Sequence, residues 1–310
     1  MLCVDNFSHL LNSLTLIKHI LSFWLVLCLI IPAQAQWEWL NPKPNVYSGQ
    51  VIRFVDADHG FVLQTTGTLL ATDDAGQHWR EARHWDGAAD LDFAGSVGYL
   101  LNKAGVLWRS PDAGRSWTRV SAAPQVAQHT YYGPQLKHVY ARLHAVSADT
   151  LFEVATDGTI RRSVDGGRAW QMASVSSERG ILSSYFVSGK IGFVGAGSGH
   201  IYKTIDGGVS WTLLSEVNYF PSEITMLHFV NARLGFAHRE HSDLLRTTDG
   251  GLTWTVLPTR LEDITDMQFL TPERGFAVGA YGVIYVTTDA GLTWELVGAA
   301  RFGMYARSLV

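Results

Sequence analysis

The residues whose types could do chemistry are acids, histidines and cations, and many of them recur at one spacing. Six segments fit Ser/Thr-x-Asp-x-Gly-x-x-Trp: TDDAGQHW (72–79), SPDAGRSW (110–117), SVDGGRAW (163–170), TIDGGVSW (204–211), TTDGGLTW (247–254) and TTDAGLTW (287–294). Glycoside hydrolysis would need two carboxylates facing one bond. Of the 28 acidic residues one, Asp5, precedes residue 36, and six of the remaining 27 (Asp74, Asp112, Asp165, Asp206, Asp249 and Asp289) sit inside these repeated segments. No catalytic pair stands out among the rest. His129, His138 and His144 share the stretch QHTYYGPQLKHVYARLH (128–144), but no two have the spacing of a zinc site. No phosphate-binding loop or Ser/His/Asp order appears either, so no catalytic residue, metal or cofactor is expected.

The repeat makes physical sense as a turn. Its Asp can accept backbone N–H bonds, its Ser or Thr hydroxyl can close a local bond, and Gly76, Gly114, Gly167, Gly208, Gly251 and Gly291 can take positive φ. Trp79, Trp117, Trp170, Trp211, Trp254 and Trp294 then supply one large apolar group per unit, suited to filling the gap between adjacent sheets. The Trp-to-Trp spacings are 38, 53, 41, 43 and 40 residues. A period near 40 residues made of short alternating runs is the signature of a propeller. In the last unit the strands read ITDMQFL, GFAVGA, VIYVTT and TWELV. Six complete units predict an all-β propeller of six four-stranded blades. Seven is the alternative, because QWEWLNP resembles a detached outer strand and MYARSLV the first strand of an unfinished blade.

The apolar run LSFWLVLCLIIP (21–32), with Lys18 before it and Ala33-Gln34-Ala35 after it, reads as a secretory signal peptide over residues 1–35, cleaved near Ala35. It is too short to span a bilayer, and no later segment is longer. Lipid attachment at Cys28 is disfavoured by the bulky Leu27. Residues 36–310 then form a single propeller domain, extracytoplasmic (secreted or periplasmic) and expected to be a monomer. Both cysteines, Cys3 and Cys28, lie in the leader, so disulfides are not expected. The net charge of −4 gives no general attraction to nucleic acid.

These segments are Asp-box, or BNR, repeats, and the whole unit most resembles the photosystem II assembly/stability factor family. The resemblance covers residues 37–294 and implies a non-catalytic scaffold that holds another protein. Asp-box repeats also occur in sialidases and xyloglucanases, so a glycan-binding or sialidase-like propeller is the alternative. A sialidase needs a Phe/Tyr-Arg-Ile-Pro segment, whereas the nearest candidate here, VIRFVD (51–56), lacks the proline and reads as an inner strand.

Three groups of residues are candidates for contact with a partner. Arg109, Arg162, Lys203 and Arg246 directly precede the Ser or Thr of four consecutive repeats, where the first and last units carry Ala71 and Val286. Equivalent positions in a propeller share height and radius, so the four should form a basic arc, and the family resemblance implies an arginine-rich surface facing a client. Aligned first strands put Arg53, Asp92, His144, Tyr185, His228 and Gln268 at one position, expected as a polar ring near the axis. Unit three is longer than its neighbours near Gln125–Tyr140, and Tyr131, Tyr132 and Tyr140 there are the kind of rigid aromatic that anchors interfaces.

Overall fold

Each unit alternates short apolar runs with turns rich in Gly and Asp, and each folds into a four-stranded antiparallel sheet with its strands in sequence order. The computed structural model describes residues 49–122, 141–175, 180–216, 223–239, 243–261, 264–279 and 283–299. The chain divides into two compact units, Met1–Trp39 and Leu40–Val310, and every described residue lies in the second. There the six sheets form a six-bladed propeller ring, over residues 49–84, 88–122, 141–174, 181–216, 224–260 and 264–299. QWEWLNP and MYARSLV, which raised a seventh blade, lie outside the described residues.

Blade 5 is representative, with strands Ile224–Phe229, Gly235–Arg239, Asp243–Thr247 and Thr255–Arg260. Burial is greatest in the second strands and least in the fourth; Gly235–Arg239 is buried throughout, and Arg80–His84 is exposed throughout. One difference from the sequence reading is that the Trp belongs to the turn, so the last fourth strand is Glu295–Ala299. Another is a register slip near the start of five first strands, for example between Ile224 and Met226.

The repeated turn is a clasp. In blade 5 the Thr247 hydroxyl donates to Asp249 Oδ1 (2.7 Å) and accepts from the Gly251 N–H (2.9 Å). Asp249 also accepts from Thr253 N (3.0 Å) and Thr253 Oγ1 (2.6 Å). The hydroxyl–carboxylate–glycine triangle recurs in the other five blades. Two successive residues take positive φ, not one: Gly250 and Gly251 in blade 5, and an alanine at the first position (Ala75, Ala113, Ala290) in three others. That residue's N–H donates to the loop between the first two strands of its own blade, as from Gly250 to the Arg233 carbonyl at 2.9 Å. The side-chain and backbone donors hold the Asp112, Asp206, Asp249 and Asp289 carboxyls at about 2.

Adjacent blades meet through aromatic rings. Phe193 of blade 4 stacks on Phe229 of blade 5 with centroids 3.7 Å apart, and Trp254 meets Phe229 edge-on. Equivalent stacks are Phe61–Phe93, Phe152–Phe186 and Phe236–Phe269. The second strand begins with glycine in four blades, and in blade 2 carries Gly98 as its second residue, because the first-strand Phe covers that position: a Cβ on Gly235 would lie 2.4 Å from the Phe229 ring. Blade 3 exchanges the pair, placing Ala145 opposite Leu151. There Tyr99 replaces the stacking Phe, and its hydroxyl donates across the joint to the Ala148 carbonyl at 2.5 Å.

Candidate functional site

The four cations before the clasps all lie half-buried on third strands, and each points toward the clasp of the following blade. Lys203 Nζ donates to the Gly250 carbonyl (3.0 Å), and Arg246 Nε to the Ala290 carbonyl (3.1 Å). Arg162 Nη2 lies against Gly207, where a Cβ would come within 3.2 Å of it. Arg109 donates from Nε to the Tyr99 hydroxyl (3.0 Å), which itself reaches blade 3. The side chains therefore run as straps from one blade to the next. The acceptors of Arg109, Lys203 and Arg246 are neutral oxygens, the buried Arg162 Nε has none among the described residues, and none of the four makes an ion pair among the described residues. A neutral acceptor orients a cation without cancelling its charge.

Five of the six aligned inner-strand residues make contacts that pass from blade to blade. Arg53 Nε donates to Asp92 Oδ1 (2.9 Å), and Asp92 Oδ2 accepts from Ala145 N (2.8 Å). Asp90 accepts from Leu143 N at 2.8 Å, so two carboxylates of blade 2 satisfy the otherwise open edge of blade 3. His144 Nε2 and the Ser184 hydroxyl are 2.7 Å apart; the Tyr185 ring lies 4.9 Å from His228, which stacks on Phe269. Gln268 is half-buried. Burial pushes the His144 imidazole down to about 3, with Arg142 and Arg53 adding to the shift, and His228 down to about 4. Both are neutral in the fold at pH 7. For Arg53, burial opposes the charge, but Asp92 and Asp90 outweigh it and hold the guanidinium above its ordinary value.

Tyr131, Tyr132 and Tyr140 lie outside the described residues. Sequence reasoning missed a cleft of about 270 Å³ between blades 1 and 2, lined in part by Ala71, Phe61, Trp117 and Arg115. The one signal was Ala71 itself, an alanine where four other units have a cation. Among the described residues no three His, Cys, Asp or Glu side chains gather as a metal site, and no helix is long and apolar enough to cross a membrane.

Residues 31–183, just under half of the chain, match the family model described as photosynthesis system II assembly factor YCF48. The chain is 30% identical over 139 residues to the photosystem II assembly lipoprotein Ycf48 of Synechococcus sp. (strain CC9902), a match covering 42% of this chain. It is 28% identical over 171 residues, 51% of the chain, to the chloroplastic photosystem II stability/assembly factor HCF136 of Oryza sativa subsp. japonica. The matched part spans 38% of the length of each of these relatives. Its fold is similar to that of a solved structure of YCF48 bound to D1 peptide, with a TM-score of 0.66, 18% identity, and coverage of 85% of this chain and 86% of that one.

Proposed function

We propose that this photosystem II assembly factor-like β-propeller is a non-catalytic, extracytoplasmic scaffold that holds a protein client on its clasp face. The observation that carries the reading is the run of four straps, Arg109, Arg162, Lys203 and Arg246, whose charges no carboxylate neutralises among the described residues. Each strap spends a donor on a neutral acceptor or lies against the next clasp, which fixes its position and leaves its charge for a partner. The guanidinium Nη groups of Arg109 and Arg246 have no partner among the described residues. Guanidinium groups suit bidentate pairing with carboxylates, so an acidic client segment fits the arc. A relative of the same fold is seen with a D1 peptide, which makes such a peptide the first probe to use. The inner-strand histidines, His228 buried and His144 half-buried, are held neutral by desolvation, and they fit a structural role better than an acid–base one.

Charge reversal tests the reading. Arg162→Glu with Arg246→Glu, checked for folding by its melting curve, should abolish capture of the peptide, and binding by the unaltered protein should weaken as salt rises. Unchanged affinity in a folded variant would leave the straps a structural role alone.

A further inference from the structure

The cation position before the clasp is filled in blades 2 to 5 and vacant in blade 1, and the vacancy has consequences. In blade 4 the Lys203 arm crosses the joint over the Phe193 ring, 5.2 Å from its centroid, to reach the next clasp. In blade 6, where Val286 holds the position, Arg274 from the loop before the second strand takes the place over Phe276, at 5.7 Å. Blade 1 has neither device. Ala71 is too short to cross the joint, and the residue aligned with Arg274 is His59, which is drawn to Asp56 at 2.8 Å.

A cleft of about 270 Å³ remains where a strap would lie, with Phe61, Ala71 and Trp117 as its apolar floor. Its mouth carries Arg80, Arg83 and Arg115 against one carboxylate, Asp73. Arg80 already holds Asp73, Nη2 to Oδ2 at 3.0 Å. Arg83 lies over the Trp85 ring, and the Arg115 side chain has no partner among the described residues. The mouth therefore repels the kind of cation that fills the other joints and attracts an anion.

We infer that the blade 1–2 cleft is a binding site for a carboxylate-bearing peptide segment. The carboxylate pairs with Arg115 and Arg83 at the mouth, and an apolar neighbour rests on Phe61 and Trp117. Either an acidic side chain or a chain terminus supplies that chemistry. The site is separate from the arc, since Arg162 and Arg246 do not line it. Double reversal of those two residues therefore leaves it intact, and the two proposals can fail independently.

Calorimetric titration with three short peptides tests the inference. The first is acetyl-Leu-Glu-Glu-Leu-amide, the second acetyl-Leu-Gln-Gln-Leu with a free terminus, and the third the same neutral sequence amidated. At least one of the first two should bind, with the third at least about fivefold weaker; binding by the first alone assigns side-chain recognition, and by the second alone terminus recognition. Arg115→Ala, at an exposed position, should weaken the binding about fivefold or more. Ala71→Arg, which fills the cleft as the other straps do, should remove it. Equal binding of the amidated neutral peptide, no binding of either acid, or undiminished binding by folded Ala71→Arg protein would overturn the assignment.

Discussion

The joint between blades 4 and 5 and the joint between blades 1 and 2 share an aromatic seam but differ in everything beside it. Both stack a second-strand Phe on a first-strand Phe, Phe193 on Phe229 and Phe61 on Phe93. Both set a glycine under the second ring, Gly235 and Gly98. Only the first is crossed by a strap, Lys203, and only the second opens into the cleft at Ala71. The seam and the clasp build the ring, whereas the strap position can be filled or vacated without changing the fold. Positions of that second kind are where a repeat protein can place function on one blade and not on another.

The largest expected effect tests the shared seam. Phe229→Ala and Phe93→Ala should each destabilise the protein by about 3–5 kcal/mol in chemical denaturation, through lost burial and the cavity left behind. A loss at one joint several times smaller than at the other would show that the two seams are not equivalent.

Acid should act next most strongly, through the inner strands. Burial keeps His228 neutral with a folded value of about 4, against about 6.5 when unfolded. The unfolded state therefore binds more protons between those values, and stability falls as pH drops from about 6.5 to 4, by on the order of 3 kcal/mol. His228→Gln should flatten that part of the stability profile. The clasp carboxyls act lower: their folded values near 2 lie below the unfolded ones, so their contribution is present above about pH 4 and is lost as pH falls toward 2.

Smaller still is the strap. Lys203→Ala should cost about 1 kcal/mol, since it removes one charge-assisted hydrogen bond from a half-exposed site. Ala71→Arg, which sets a fourth cation beside Arg80, Arg83 and Arg115, should leave the protein folded with a melting temperature unchanged or slightly lowered. A large loss in Lys203→Ala would place the straps among the elements that hold the ring. The smallest effect belongs to the clasp backbone: Ala290 sits at φ +59°, where Gly250 occupies the same place in blade 5. Ala290→Gly should be close to neutral, within about 1 kcal/mol, because relief of the left-handed strain is offset by the added freedom of the unfolded chain.

Much of the joint was legible in the sequence. The Thr247–Asp249–Gly251 triangle and the Trp after it follow from residue types and spacing, because every one of their partners lies within a few residues. Contacts between units were not legible. That Lys203 ends on the Gly250 carbonyl, 47 residues on, or that Asp90 satisfies the Leu143 N–H of the next blade, depends on which strands become neighbours. The same holds for the cleft. Arg80, Arg83 and Arg115 read as ordinary surface cations until blades 1 and 2 set them around Ala71. The exchange of Phe and Gly for Ala145 and Leu151 in blade 3 likewise gains its meaning only from their pairing.

Where the client docks is most directly tested by hydrogen–deuterium exchange of the full chain with and without a D1 peptide. A client held on the clasp face should slow exchange in the turns 164–169, 205–210, 248–253 and 288–293, which follow the strap positions or receive the straps. Protection confined to the opposite face, at the links between second and third strands such as 156–158 and 197–199, with the clasps unchanged, would contradict that docking.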